Sequence, residues 1–247
     1  MGKIYIVGAG PGDVELLTLK AYRLLQNADV VLYDALINPE ILNIVPPSAE
    51  KIFVGKRAGK HSKTQREINE LIYRYSLLYS KVIRLKGGDP FLFGRGGEEL
   101  LYLTQRGIEV EVVPGVPSVF GAAASSYVPL TCRGFSSSVT ITTGHPLEKL
   151  NWKSLARSET LVVLMGIKHR QKIAQRLIEF GKPSSEGVVF AERATTSGEK
   201  VIFSTLGEVA QNPPEVETPA LFIVGPTVEI GLSVFHSLIG QQNLLEV

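Results

Sequence analysis

The sequence predicts an α/β protein with two α/β domains, and two observations carry that prediction. In the first half, short apolar runs alternate with helical patterns from Ile4 to Val113. Such alternation is typical of parallel strands that are buried on both faces. In the second half, a turn at Thr195–Gly198 precedes the run Lys200–Ser204 and predicts a hairpin, so we expect a mixed sheet there.

The N-terminal domain, assigned to residues 1–114, is predicted from nine elements that form a doubly wound parallel sheet. Its predicted strands are the apolar runs Ile4–Val7, Val30–Tyr33, Lys51–Val54, Val82–Leu85 and Val110–Val113. Its predicted helices are Glu15–Asn27, Pro39–Ile44, Gln65–Ser80 and Glu98–Gln105.

The C-terminal domain is assigned to residues 137–247, after a link over residues 115–136. In the link, the Ala/Ser-rich run Pro117–Tyr127 predicts a small, close-packed helix. The predicted strands of the domain are Val139–Thr143, Leu161–Met165, Val188–Ala191, Lys200–Ser204 and Leu221–Val224. Its predicted helices are His169–Phe180 and a terminal helix from Glu229.

Composition narrows the class of function. The 247 residues are 44% hydrophobic and carry a net charge of +2, which gives ample core and no sign of a nucleic-acid partner. A single cysteine excludes an internal disulfide framework and a cysteine-rich metal site. No apolar run approaches the ~18 residues of a membrane span, and the N-terminus has no signal-peptide pattern. We therefore expect a cytoplasmic enzyme without a membrane partner or a metal.

The segment Arg84–Glu99 carries the strongest functional signal. It places five glycines around Asp89 and Arg95, between a predicted strand and a predicted helix. Glycine lets the backbone approach a ligand closely, and such a loop is where open α/β folds bind ligands. A tight turn before a helix is the alternative, but a plain turn does not need five glycines or the charged set. We interpret the segment as a ligand-binding loop.

The loop Gly8–Asp13 invites comparison with the dinucleotide fingerprint but departs from it. Pro11 lacks a backbone N–H, and Asp13 stands at the third glycine position, where it would repel a pyrophosphate or cap a helix. Asp34 follows about twenty residues on, where the ribose-binding acid of that fold belongs. A nucleotide-dependent oxidoreductase therefore remains an alternative.

Polar residues also follow the second and third predicted strands. Asp34 lies where a carboxylate can accept a proton, although a turn cap explains it equally well. The segment Gly55–Asn69 carries a basic cluster, and guanidinium and ammonium groups bind carboxylates and phosphates. With a near-neutral chain, this cluster favours a small polyanionic substrate over a nucleic acid or a solvated loop. Its members are Lys56, Arg57, Lys60, Lys63 and Arg66.

Signals in the C-terminal domain are weaker. Met165 ends a predicted strand, Glu192–Ser197 follows another, and Ala220 begins the last. A methionine at a strand end is more often part of the core, but together these positions are candidates for one wall of a ligand crevice. Cys132 and His145 fit no catalytic pattern of known spacing.

Motifs along nearly the whole chain resemble those of the tetrapyrrole methylases, and within that family those of the uroporphyrinogen-III C-methyltransferases. GKRAG together with GGDPFLFGRGGEE is the most specific part of the resemblance. The matching strings, in order, are VGAGPGD (7–13), LLTLKA (16–21), VLYDALINPEIL (31–42), VGKRAGKHS (54–62), QREIN (65–69), RLKGGDPFLFGRGGEE (84–99), VVPGVPS (112–118), VPLTCRG (128–134), TGH (143–145), VVLMG (162–166), ERATT (192–196) and PALFIVG (219–225).

The resemblance implies a homodimer of the tetrapyrrole methylase fold, with S-adenosylmethionine bound in the cleft between the two domains. It implies methylation of uroporphyrinogen III at C2 and C7, which gives precorrin-2 and S-adenosylhomocysteine for siroheme and cobalamin synthesis. We expect the chain to carry the methylase alone, without the oxidase–chelatase or synthase modules of fused relatives.

The resemblance also implies site residues by position. Asp34 and Lys56 match the proposed acid/base pair of the family, and Arg57, Lys60 and Arg95 are candidates for binding the substrate. The donor-binding candidates are Pro11, Gly87, Gly88, Asp89, Leu92, Pro117, Ser118, Met165, Ala194 and Ala220.

The chain departs from the family pattern at four positions. Ala35, Pro117, Cys132 and Ala194 stand where Arg, Thr, His and Gly are usual. A methylase of a different tetrapyrrole is therefore an alternative. A non-enzymatic binding module is disfavoured, because it would not need a converging set of Asp34, Lys56 and Asp89.

Overall fold

The structure, a computed structural model, describes residues 2–55 and 63–245. Three candidates of the basic cluster, Lys56, Arg57 and Lys60, lie outside the described residues. The chain divides into two compact units, Met1–Ser118 and Val119–Val247. The division falls inside the segment assigned as a link, and the exact domain bounds stay a prediction.

The N-terminal unit contains a sheet of five strands. The strands are β1 (Lys3–Gly8), β2 (Val30–Tyr33), β3 (Glu50–Phe53), β4 (Lys81–Lys86) and β5 (Val110–Val113). They lie in the order β3-β2-β4-β1-β5, and every neighbouring pair is parallel. The predicted parallel sheet is confirmed, and all five strands end at the edge that carries the glycine-rich loops.

Helices cover both faces of this sheet. They are α1 (Leu19–Gln26), α2 (Gln65–Leu78) and α3 (Gly96–Thr104). Successive strand residues point to opposite faces. Ile4 of β1 therefore packs in the cluster that contains Ile72 of α2 and Leu103 of α3. Val7 of the same strand packs with Leu25 of α1. The doubly wound arrangement predicted from the apolar runs is thus confirmed.

The predicted helix Glu15–Asn27 is wrong in its first part. Val14–Leu16 is a short 3-10 helix capped by Asp13, whose Oδ1 accepts a hydrogen bond from the Glu15 N–H at 2.9 Å. Thr18 is extended and caps α1, because its hydroxyl accepts from the Ala21 N–H at 3.1 Å. A cap inside the predicted helix starts a new one, and the interpretation of Asp13 as a cap is confirmed.

The segment predicted as the helix Pro39–Ile44 is also a 3-10 helix, over Pro39–Asn43. Asn38 precedes it in an extended conformation, and its side chain accepts from the Glu40 N–H at 3.1 Å. Five residues are too few for an apolar pattern to separate a 3-10 helix from an α-helix.

The C-terminal unit contains a mixed sheet of five strands. They are β6 (Val139–Thr143), β7 (Thr160–Leu164), β8 (Gly187–Glu192), β9 (Lys200–Thr205) and β10 (Ala220–Val224), in the order β6-β7-β10-β8-β9. The β6–β7 pair is parallel and the other three pairs are antiparallel. The predicted hairpin is β8–β9, so both the hairpin and the mixed sheet are confirmed.

Five helices accompany this sheet among the described residues. They are α4 (Ser118–Ser125), α5 (Trp152–Ala156), α6 (Arg170–Glu179), α7 (Leu206–Gln211) and α8 (Val228–Leu245). The sequence patterns did not predict α5 and α7, which are too short to show a helical period. In the core, the rings of Phe190 on β8 and Phe222 on β10 lie 5.2 Å apart. Across residues 2–55 and 63–245, none of the helices is long and apolar enough to cross a bilayer.

Candidate active site

Three loops meet at the carboxyl edge of the parallel sheet through glycine backbone. Gly10 and Gly88 exchange two backbone hydrogen bonds, from Gly88 N to Gly10 O at 2.8 Å and from Gly10 N to Gly88 O at 3.3 Å. A Cβ added at Gly8 would lie 2.6 Å from Gly88 O, and one at Gly115 would lie 2.8 Å from Gly8 Cα. A side chain at either position would collide with backbone, so the close approach of these loops requires glycine.

Asp89 ties two of these loops together. Its Oδ1 accepts from the Phe91 N–H at 2.8 Å, and its Oδ2 accepts from the Gly115 N–H at 3.1 Å. Gly88, just before Asp89, has φ +64°. A Cβ added at Gly88 would lie 3.5 Å from Ser118 N and 3.8 Å from Pro117 Cα. The structure therefore brings four donor-binding candidates of the N-terminal unit together.

The remaining donor-binding candidates of this unit lie on the same loops. Pro11 follows Gly10 directly. A Cβ at Gly87 would lie 3.2 Å from the Leu36 Cβ, so the loop after β4 also contacts the loop after β2. Leu92 is half-buried, and its N–H lies 3.4 Å from Asp89 O. These contacts form a continuous edge of mostly backbone atoms.

Arg95 orders the start of α3. It precedes the helix with φ +59°, and its guanidinium pairs with Glu98 through Nε–Oε1 at 2.8 Å and Nη2–Oε2 at 2.7 Å. Hydrogen bonding to Glu98 raises the pKa of the Arg95 guanidinium. Both side chains are more than half exposed. This pair orders the loop before α3, and the role of Arg95 toward a substrate stays a prediction.

The two carboxylate oxygens of Asp34 differ in their partners. Its Oδ2 pairs with Arg84 Nη2 at 3.0 Å, and its side chain is 27% exposed, against 3% for Arg84. Its Oδ1 is buried and has no hydrogen-bond partner among residues 2–55 and 63–245. A carboxylate in this arrangement is oriented by one oxygen and can accept a proton or a hydrogen bond at the other.

A buried ionic cluster next to Asp34 escaped the sequence analysis. The fully buried Glu99 accepts at Oε1 from Arg84 Nε at 3.1 Å and from Lys86 Nζ at 3.0 Å. The Gln65 amide nitrogen lies 3.2 Å from the same oxygen. Burial, with repulsion by Arg84, lowers the pKa of Lys86, and the attraction of Glu99 opposes that shift only in part.

The cluster corrects the prediction that β4 is an apolar strand. Arg84 and Lys86 are two residues apart, so they lie on the same face, and both are nearly fully buried. Buried cations require buried anions, so this spacing of basic residues in a central strand could have signalled a carboxylate on the covering helix.

The candidates of the C-terminal unit share one edge of the mixed sheet. Leu164 of β7 pairs with Leu221 of β10, and Ala220 pairs with Glu192 of β8. The residues that follow β7 and β8, and the residue that begins β10, therefore lie at the same end of the sheet. These residues include Met165, Ala194 and Ala220.

Met165 does not belong to the core, so the core alternative for this residue is excluded, and its role toward the donor stays a prediction. Its residue surface is 55% exposed, and its φ of +55° is unusual for a residue with a side chain. β7 ends at Leu164, so Met165 lies directly after the strand. Arg193 and Thr195, on either side of Ala194, are also left-handed, with φ +44° and +67°. Strained backbone of this kind is common at ligand sites.

Histidine, cysteine and carboxylate side chains do not assemble into a metal site in the part of the chain that the structure describes. Within residues 2–55 and 63–245, no group of three or more of them could hold an ion. His145 and His169 stack with ring centroids 6.0 Å apart. Cys132 is a free, half-buried thiol.

Glycine-rich loops at the carboxyl edge of a parallel sheet, beside a partly exposed carboxylate, are typical of α/β proteins that bind a small organic ligand at this edge. The sequence model of the family described as Tetrapyrrole (Corrin/Porphyrin) Methylases matches residues 3–210. The chain belongs to the tetrapyrrole methylase family, as its motifs predict.

Curated relatives match almost all of the chain. A siroheme synthase from Baumannia cicadellinicola subsp. Homalodisca coagulata is 43% identical over 98% of this chain and 54% of its own length. Siroheme synthase 2 from Yersinia pestis (strain Pestoides F) is 45% identical over 93% of this chain and 50% of its own length. The chain thus spans about half the length of the curated relatives it matches.

Solved structures confirm the predicted fold. The native form of uroporphyrin III C-methyl transferase from Thermus thermophilus is 45% identical, with a TM-score of 0.83 over 93% of this chain and 100% of that one. Its counterpart complexed with S-adenyl homocysteine is 44% identical, with a TM-score of 0.83 over 93% and 94% of the two chains. The cobalt precorrin-4 methyltransferase CbiF is 30% identical, with a TM-score of 0.81 over 92% and 95%.

Proposed function

We propose that this chain transfers methyl groups from S-adenosylmethionine to C2 and C7 of uroporphyrinogen III, giving precorrin-2 and S-adenosylhomocysteine. The observation that carries the proposal is the 44% identity, over 93% of the chain, to the Thermus methyl transferase complexed with S-adenyl homocysteine. Family membership makes the chain a tetrapyrrole methylase. The proposal adds the identity of the methyl donor and of the substrate. It also adds methylation at C2 and C7 and the use of the product in siroheme or cobalamin synthesis.

The loops of the N-terminal unit fit a donor that is bound mainly by backbone. A Cβ at Gly8 or Gly115 would collide with the backbone of a neighbouring loop, so the edge consists of backbone groups at these positions. In the C-terminal unit, the exposed residue Met165 carries a thioether that can offer an apolar contact. We propose that the donor contacts Pro11, Gly87, Gly88, Asp89, Leu92, Pro117, Ser118, Met165, Ala194 and Ala220.

The donor brings a methyl group that its sulfonium already activates, so the chain has to align the reactants and move a proton. A pyrrole carbon forms the new C–C bond with its π electrons, and the methyl–sulfur bond breaks with its electron pair left on sulfur. The cationic macrocycle must then lose a proton. We propose that Asp34 accepts that proton at Oδ1, the oxygen without a partner among the described residues, and that Lys56 is the other member of the acid/base pair.

We propose that Arg57, Lys60 and Arg95 bind the carboxylates of the substrate. Bidentate pairing of guanidinium with carboxylate is strong and directional. The Arg95–Glu98 pair is exposed, and exposed pairs contribute only about 0–1 kcal/mol. A substrate carboxylate can therefore take the place of Glu98 at little cost.

The test is an anaerobic incubation of the protein with S-adenosylmethionine and enzymatically generated uroporphyrinogen III, followed by mass and absorbance analysis. We expect a product with two added methyl groups and two equivalents of S-adenosylhomocysteine. Heat-denatured protein is the control. If calorimetry shows donor binding but the substrate is unchanged, the substrate assignment is wrong, and Ala35, Pro117 and Cys132 then indicate a different tetrapyrrole.

We also propose that the chain acts as a homodimer in the cytoplasm. The C-terminal unit exposes a groove of about 530 Å³ whose lining includes Phe120, Tyr127, Leu130 and Val234, and Phe120 and Tyr127 are about half exposed. An apolar surface of this kind is typical of a protein interface. We expect sedimentation equilibrium to give twice the 26.9 kDa chain mass, and Phe120→Glu to lower it. A monomer at all micromolar concentrations would contradict the proposal.

A further inference from the structure

We propose that Glu99 is a positioning residue for the acid/base step and that it acts on Asp34 through Arg84. The inference rests on the proposed role of Asp34 as proton acceptor. Glu99 lies 15 residues beyond Arg84 in the sequence and on a different element, the helix α3. It ends the glycine-rich segment Arg84–Glu99, but the sequence analysis assigned no role to its side chain.

The cluster around Glu99 is balanced in charge. Arg84 and Lys86 supply two positive charges, and Asp34 and Glu99 supply two negative ones. Removing one member of a buried ion pair leaves its partner uncompensated, which makes such clusters sensitive to single changes. Neutralising Glu99 would leave Asp34 as the remaining carboxylate of the cluster for both cations.

The guanidinium of Arg84 is fixed on several sides. Its Nε donates to Glu99 Oε1 at 3.1 Å, and its Nη2 donates to Asp34 Oδ2 at 3.0 Å. Its Nη1 donates to the carbonyl oxygens of Leu85 at 2.9 Å and Leu32 at 3.4 Å. Because Glu99 holds Nε, the neighbouring Nη2 on the same edge of the planar group keeps a defined position against Asp34.

The free oxygen of Asp34 depends on this arrangement. Arg84 occupies Oδ2, while Lys86 is directed to Glu99 and leaves Oδ1 without a partner among the described residues. Without the Glu99 charge, Lys86 and Arg84 would both turn to the Asp34 carboxylate and occupy Oδ1. The proton acceptor would then be blocked, although the glycine loops that we assign to the donor would be unchanged.

The test is a double-mutant cycle on the full chain with Asp34→Asn and Glu99→Gln, measuring kcat and the Kd for S-adenosylhomocysteine. We expect Glu99→Gln to lower kcat about tenfold and Asp34→Asn to lower it about a hundredfold or more, with Kd changed less than about twofold. We expect the double variant to be no slower than Asp34→Asn alone, because residues that act as a unit are not additive.

Glu70→Gln is the matched control. Glu70 on α2 accepts from Tyr102 on α3 at 2.6 Å and pairs with Arg74, so this change weakens helix packing away from the cluster. It should leave kcat unchanged. If Glu99→Gln does not fold by circular dichroism, Glu99→Asp replaces it in the cycle. Aspartate keeps the charge but draws the carboxylate back from Arg84 Nε, so we expect a smaller loss of kcat, which should again disappear in the Asp34→Asn background.

Two results would overturn the inference, and they are distinguishable. If Asp34→Asn is strongly impaired and Glu99→Gln lowers kcat tenfold again in that background, Glu99 acts independently of Asp34 and the positioning role is wrong. If Asp34→Asn keeps full turnover, the acid/base part of the proposed function fails, and the role of Glu99 fails with it.

Discussion

Replacing Asp34 with Asn is expected to lower kcat about 10²- to 10⁴-fold, which is the range contributed by a positioned acid/base group. Asn keeps the size of the side chain and can still accept from Arg84, but its amide cannot take a proton at neutral pH. The affinity for S-adenosylhomocysteine should not change, because the glycine loops are untouched. Single-turnover methylation together with calorimetry of the donor product separates the two quantities.

Asp29→Asn is the control for this change. Asp29 lies just before β2, at the opposite end of the strand from Asp34, and its Oδ2 accepts from the Lys81 N–H at 2.7 Å. The same chemical change at that end should leave turnover unaltered. Equal losses of turnover and donor affinity in Asp34→Asn would contradict an acid/base role.

Replacing Gly115 with Ala is expected to weaken donor binding and to destabilise the fold. The new Cβ would lie 2.8 Å from Gly8 Cα and still closer to Gly88 O, so three loops would have to move apart. Forced overpacking of this kind costs about 1–3 kcal/mol of the free energy of unfolding. Misplaced loops should also raise the Kd for S-adenosylhomocysteine at least about tenfold, which corresponds to 1.4 kcal/mol. Urea unfolding and calorimetry measure the two effects.

Gly97→Ala is the matched control in the same glycine-rich segment. A Cβ at Gly97 would meet nothing within 4 Å, and the residue lies in the first turn of α3. Alanine in a helix is favoured over glycine by about 0.5–1 kcal/mol, so this variant should be slightly more stable and bind the donor product normally. If the two variants behaved alike, the close approach at Gly115 would not be the cause.

Local sequence patterns predict the order of strands and helices, but they do not predict the bounds or the existence of several helices. Parallel strands buried on both faces read as apolar runs, so β1, β2 and β5 could be located from sequence. The break at Thr18 was missed because a threonine can continue a helix as well as cap one. The helix α7 has only six residues, too few to show a helical period, and its start is marked by the Thr205–Glu208 capping box.

The candidate site also has parts that the sequence predicts and parts that it does not. The spacing of the glycines identified the loops around Gly88, because glycine, which has no Cβ, is the residue that allows backbones to approach this closely. The pair Asp34–Arg84 joins residues that are 50 apart in the chain, and no local pattern reports such a contact. The exposure of Met165 depends on a left-handed turn that its own residue type disfavours.

The contacts of Asp89 have a consequence for how quickly a ligand can be captured. With Phe91 bound at one oxygen and Gly115 at the other, the loops after β4 and β5 are joined within the protein itself. A segment that is already ordered loses little conformational freedom on binding, and ordering is a large part of the cost of association. Capture at this edge should then be governed by diffusion and orientation instead of by a slow rearrangement of the chain.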